Sequence, residues 1–249
     1  MIETESRGDV VELTLDRPPA NAWTRDGVAE LGAAVDRIIG SPETRAVVVR
    51  ARGRLFSAGG DVREMVEVLR RPDPAPALDR FSTEIQSAFE RFAKIPCPTI
   101  AVLEGAATGG GLELALACDL RIAARGALLG LPEAGIGLVP AGGGTQRLTR
   151  LVGEGHALRL MMLAELVDAD AALSMGLVQW VEDRRHIDAR VAQVVGALRR
   201  ASGDAQREIK KCVGATTVAD GLAQERASQA LLHRTDGTIA RLRAFTRRK

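Results

Sequence analysis

The sequence predicts an α/β fold built from repeated ββα units and followed by a helical C-terminal part. Three observations predict it. Short runs rich in β-branched residues alternate with segments of helical period. A strand–turn–helix unit with glycines at the turn occurs at least twice, at Ala58-Gly59-Gly60 and at Gly109-Gly110-Gly111. From about residue 187 the apolar spacing is helical to the end.

The elements follow in order. Val11, Leu13 and Leu15 alternate with polar residues, the mark of a half-buried strand, and Arg17-Pro18-Pro19 ends it because proline supplies no ladder donor. Thr24 opens an amphipathic helix that runs to about Ile39, with Val28, Leu31, Val35, Ile38 and Ile39 as its apolar stripe. Ala46 to Val49 reads as a buried strand, and residues 61–70 as the start of a helix after the first glycine turn. Pro72, Pro74 and Pro76 predict a surface loop, and Phe81 to Phe92 a helix stopped by Pro96 and Pro98. Thr99 to Leu103 is a strand, Leu112 to Ala117 a helix after the second glycine turn, and Leu120 to Ala123 a strand. Val191, Val194, Val195 and Leu198 form one apolar stripe, and Leu222, Ala223, Leu231 and Leu232 belong to later helices. The expected division is residues 1–186 as the repeat core carrying the site and residues 187–249 as a helical region. Its unburied apolar faces suit an oligomer interface.

Composition narrows the function. The chain of 249 residues is 46% hydrophobic and 27% charged, enough for one large core or a core with an appendage. A net charge of +2, scattered basic residues and 3% aromatics without tyrosine disfavour nucleic-acid partners. The polar start MIETESRGD is no secretory signal, and the apolar stretch from Ala101 to Ala117 is too short and too polar to span a membrane. Cys97, Cys118 and Cys212 share no CxxC spacing and read as reduced thiols, so the expected location is cytoplasmic. His156, His186 and His233 lack ligand spacing, so no metal site is expected.

Four features carry possible chemistry. The two glycine turns allow close backbone approach, and the second precedes a helix whose first N–H groups are unsatisfied. Two such N–H groups converging on one point stabilise an oxyanion, although a pair of plain tight turns has the same sequence. Glu113 sits three residues into an apolar helix start, and Glu133 follows Pro132 among apolar neighbours. Each is either a solvated charge or a buried carboxyl whose pKa rises toward the range suited to proton transfer. Gly142-Gly143-Gly144-Thr145 lacks the Gly-Lys-Ser/Thr of a P-loop, no GxGxxG follows a strand, and no GxSxG elbow exists.

Taken together, these segments resemble the crotonase superfamily, the enoyl-CoA hydratase/isomerase family, over nearly the full chain. The resemblance is carried by Phe56 to Met65, by Ala106 to Ala115, and by Leu131 to Pro140 followed by Gly142 to Leu148. Arg17 to Ala22 and Ala117-Cys118-Asp119 also fit. It implies a crotonase-like spiral of ββα repeats with a helical oligomerisation region, and a homotrimer or dimer of trimers. It implies an acyl-CoA thioester substrate, with coenzyme A part of that substrate and no permanently bound cofactor. The backbone N–H groups of Gly60 and Gly110 would form an oxyanion hole. Glu113 would activate water for addition at C3, and Glu133 would protonate C2. Ala58 and the stretch Gly60, Asp61, Val62, Arg63 would lie along the CoA moiety, with Gly110 opposite and Arg63 near the phosphates. Isomerisation of an enoyl-CoA and hydration of a cyclic dienoyl-CoA are the alternatives on the same scaffold, and a non-catalytic acyl-CoA-binding protein is the third reading. Where the family often has glycine after the proline of the third segment, this chain has Ala141. The basic end Arg247-Arg248-Lys249 is read either as solvated or as paired with a CoA phosphate in a neighbouring subunit.

Overall fold

The computed structural model describes residues 1–247, so Arg248 and Lys249 lie outside the described residues. The chain begins with a hairpin, β1 (Ile2–Arg7) and β2 (Val10–Leu15), whose turn holds Gly8 at φ +69°. Sequence reasoning missed β1, because its side chains are almost all polar and exposed and it forms the edge of a sheet. Helix α1 (Arg25–Ile39) starts where expected: the Thr24 hydroxyl accepts from Gly27 N–H at 3.1 Å and satisfies one of the unpaired first-turn donors. Its stripe buries Val28, Leu31, Val35 and Ile38, but Ile39 faces outward.

The repeat follows. Strands β3 (Ala46–Ala51) and β4 (Leu55–Ser57) precede helices α2 (Val62–Leu69) and α3 (Ala75–Ala93). Strands β5 (Thr99–Leu103) and β6 (Ala106–Thr108) precede α4 (Gly110–Ala117). Strands β7 (Leu120–Ala124) and β8 (Leu128–Gly130) precede α5 (Gly144–Val152) and α6 (Glu154–Met162). In each unit the first strand joins one sheet and the second strand joins the other. With β9 (Val167–Asp168), α7 (Ala169–Ser174) and β10 (Trp180–Glu182), the result is a six-stranded sheet in the order β1-β2-β3-β5-β7-β10. The second sheet has four strands, in the order β4-β6-β8-β9. Helices α8 (Ile187–Arg200), α9 (Gly203–Val213), α10 (Val218–Leu232) and α11 (Asp236–Thr246) complete the described chain.

The expected loop at Pro72–Pro76 is shorter than the prolines suggested. Pro74 is the N-cap of α3 and Pro76 sits in its first turn, where a missing N–H costs nothing. The helix therefore starts six residues before Phe81.

The main core lies between the two sheets and α1, α3 and α4, with Trp23, Phe56, Phe89 and Phe92 as its largest buried side chains. A second core occupies the other face of the large sheet. There Val48, Ile100, Val102 and Ile122 pack against Ile187, Val191 and Val195 of α8. Among the described residues no helix is long and apolar enough to cross a membrane.

Candidate active site

The second strands of the repeats end side by side, and the glycine turns that leave β4 and β6 therefore meet. Gly59 (φ +93°) and Gly109 (φ +52°) hold conformations that side chains rarely adopt. The contact between the turns is close: a Cβ built on Gly59 would stand 3.1 Å from the Gly110 nitrogen. Trp23 bridges to the first turn, donating its N–H to Gly59 O at 2.8 Å and accepting from Asp61 N–H at 2.9 Å. Those two bonds straddle Gly60, and Gly110 is the first residue of α4. Neither the Gly60 nor the Gly110 N–H donates to a protein acceptor among the described residues. Two neighbouring N–H groups thus stand unengaged, one of them at a helix N-terminus with its positive dipole end.

Glu113 lies in the first turn of α4 and is only 3% exposed. Its carboxylate reaches the N-terminus of α5, where Gly144 N–H donates to Oε1 at 2.8 Å. Glycine at 142 and 144 is needed for this approach, since a Cβ there would stand 2.7 and 2.8 Å from the Glu113 oxygens. Arg147 fastens the loop by donating to Gly142 O at 2.9 Å and pairing with Glu90 at 2.8 Å. Loss of water raises the Glu113 pKa to about 7. The Gly144 and Gly142 backbone groups oppose the rise, and the nearby charge of Glu133 adds to it.

Glu133 opens a short 3-10 turn, Glu133–Ile136, after β8. It is half-buried, and a Cβ on Gly109 would lie 3.1 Å from its Oε1. Its Oε2 is buried with no hydrogen-bond partner. Burial raises its pKa as well, with only its own backbone opposing. Both carboxyls therefore move upward rather than apart. They differ in contacts: Glu113 has a helix-end N–H that favours its anion, and Glu133 has an oxygen with nothing to bond.

The remaining expected residues line the approach. Ala58, Val62 and Arg63 are exposed. Asp61 caps α2 by accepting from Arg63 N–H at 3.1 Å and pairs with Arg17 at 2.8 Å. Beyond Gly60 a cleft of about 880 Å³ opens between α1, α2 and α3, with Met65 and Phe81 at its inner end. Among the described residues no group of three or more His, Cys, Asp or Glu could hold a metal ion.

Sequence reasoning missed three parts of the site. Trp23 and Phe89 carried no separate reading, yet their rings meet edge to face at 5.3 Å, with Trp23 against Gly110 and Phe89 beside the Gly142 loop that meets Glu113. The Gly142–Gly144 loop was considered only as a phosphate cradle and a family segment, whereas it holds a carboxylate. Small residues opposite a buried acid were the available signal.

The enoyl-CoA hydratase/isomerase family pattern matches residues 5–242. A probable enoyl-CoA hydratase of Bacillus subtilis (strain 168) is 41% identical over 169 residues, covering 68% of this chain and 64% of that protein. This chain thus spans a little under two thirds of that relative's length. The probable mitochondrial enoyl-CoA hydratase 2 of Arabidopsis thaliana is 32% identical over 249 residues, covering 98% of this chain and 81% of that protein. Among solved structures, an enoyl-CoA hydratase from Bacillus anthracis superposes with a TM-score of 0.92 at 29% identity, over 100% of this chain and 96% of that one.

Proposed function

We propose, from the premise that this chain belongs to the enoyl-CoA hydratase/isomerase family, that it adds water across the 2,3 double bond of a 2-enoyl-CoA thioester. One observation carries the reading: two unengaged backbone N–H groups stand beside the buried Glu113 and the half-buried Glu133, both with raised pKa. An α,β-unsaturated thioester resists water until its carbonyl is polarised. The Gly60 and Gly110 N–H groups would donate to the carbonyl oxygen and stabilise the enolate-like state that forms as water adds. Glu113, whose anion is supported by Gly144 N–H, takes a proton from the water attacking C3. Glu133, held above the usual carboxyl range, delivers a proton to C2, and its unpartnered oxygen is free to bind the water or the substrate. The exposed strip from Ala58 through Arg63 is the proposed bed for the CoA moiety, and the cleft past Met65 and Phe81 leaves room for acyl groups longer than four carbons.

The test is hydration of crotonyl-CoA and longer enoyl-CoA esters, followed by loss of conjugated-thioester absorbance. Replacement of Glu113 by Gln should lower the rate by about 10²–10⁴, the usual contribution of a positioned acid or base. If E113Q still shifts a 3-enoyl-CoA to its 2-enoyl isomer at the wild-type rate while the wild type fails to hydrate, the reaction is isomerisation instead.

A further inference from the structure

We infer that Trp23 is the residue that holds the two oxyanion donors in register, and so sets how well the site stabilises an enolate; this rests on the proposed reading of the site. One residue touches both donors. Its backbone bonds on each side of Gly60, at 2.8 Å to Gly59 O and 2.9 Å from Asp61 N–H. Its side chain reaches the second donor: a Cβ built on Gly110 would meet Trp23 Cδ1 at 3.2 Å, tighter than an ordinary contact. The same ring stands edge to face on Phe89, and Phe89 Cδ2 closes the Gly142 loop that cradles Glu113. The indole therefore wedges between the N-terminus of α4 and the catalytic-side face of α3. It is completely buried.

A second observation separates this role from plain core filling. The indole N–H has no hydrogen-bond partner among the described residues. A buried orphan donor is unfavourable for stability. Leucine would fill a core position here without that cost, whereas an aromatic ring places a flat edge against Gly110. A donor shifted by about 1 Å from the developing oxyanion can cost about 10²-fold in rate, and the two donors come from different loops that no strand pairing among the described residues locks together at these glycines.

The experiment uses the full chain and three variants, W23F, W23L and W23A. Binding of a 3-ketoacyl-CoA, read as the ultraviolet absorbance of its bound enolate, reports the alignment of the hole. Binding of saturated butyryl-CoA reports the rest of the thioester site. W23A and W23L should weaken enolate formation and hydration kcat at least tenfold, with butyryl-CoA affinity changed less than threefold. W23F keeps an aromatic edge at the Gly110 contact and should restore both to within about threefold of wild type. Equal loss of enolate and butyryl-CoA binding in W23L, or no loss of enolate in any variant, would overturn the inference. Failure of W23F to rescue would also overturn it, because the indole N–H and not the wedge would then be the active feature. The hydratase reading stands or falls separately, on whether the wild type hydrates a 2-enoyl-CoA at all. A wild type that binds the enolate without hydrating leaves the role of Trp23 intact.

Discussion

At Glu113, burial and hydrogen bonding pull against each other. Loss of water favours the neutral acid, the α5 N-terminus favours the anion, and the balance sits at about 7. Two consequences follow from that value. As the proposed general base Glu113 must be ionised, so hydration kcat/KM should rise with pH and level off above about 7, a limb that E113Q should lack. Stability should run the other way. The folded state holds the proton more tightly than the unfolded chain, whose carboxyl titrates near the ordinary 4.5, so between about 4.5 and 7 the folded form binds more protons and loses stability as pH rises. The loss is on the order of a few kcal/mol and is complete above about pH 7. Denaturant titrations should therefore show a falling stability over this window in the wild type and a flatter one in E113Q; parallel curves would mean that Glu113 is hydrated. At this scale the sequence singled out Glu113 and Glu133 as candidates, since each is an acid among apolar neighbours, and the structure places both carboxyls near the glycine turns. The sequence did not carry the cradle, because only the fold brings Gly142 and Gly144 to within contact of a residue some thirty positions earlier.

The helix α4 carries both Gly110 and Glu113, so whatever fixes α4 fixes the chemistry. Its N-terminus is left open to a ligand, and its C-terminus is fastened by Arg121, a guanidinium only 3% exposed. Arg121 donates to Cys118 O at 2.7 Å, to Leu177 O at 2.8 Å, and to Ala115 O at 3.2 Å, which it shares with the Cys118 N–H at the helix end. A cation at a helix C-terminus also suits the dipole. Replacing Arg121 with Met keeps the volume but takes the guanidinium from Cys118 O and Leu177 O and leaves Ala115 O with the Cys118 N–H alone, and should cost roughly 3 kcal/mol by chemical denaturation. A loss under about 1 kcal/mol would show that water takes over those carbonyls. Elements of this kind divide in legibility. Helix α1 was readable to its first residue because Thr24 and the apolar stripe agree, and β3 and β5 were readable as short buried runs with β-branched residues. Strand β1 was not, because an edge strand exposed on nearly every residue has no apolar alternation to read. The early start of α3 was hidden by prolines that break a helix interior but sit without cost in a first turn.

Across the whole molecule, apolar burial stops before the chain does. Helix α8 packs on the large sheet, but α9, α10 and α11 bury between them only two side chains, Glu208 and Ser228, both polar and bonded to each other. Their apolar side chains face outward: Val213 and Val218 are 81% exposed and Phe245 is 68% exposed. A second apolar surface stands at the end of the site's own turn, where Val139 is 74% exposed and Met162 and Leu163 each 71%. Monomers rarely leave so many large apolar side chains in water, and a contact between copies would cover them. We propose that the chain assembles as a homotrimer or a dimer of trimers through these surfaces, as the helical C-terminal spacing suggested. Sedimentation velocity should then give a species of three or six chains. The double variant V213E/F245E should give a smaller species with its secondary structure intact, because neither residue contributes to the core of a single chain. A wild-type chain that sediments as a monomer at micromolar concentration would refute the assembly. Because Val139 follows the Glu133 turn by only a few residues, assembly and activity should be coupled. Dissociation by V213E/F245E alone should leave acyl-CoA binding in place, whereas V139E should lower hydration as well as assembly, if one edge of the proposed interface lies beside the acid proposed to serve C2.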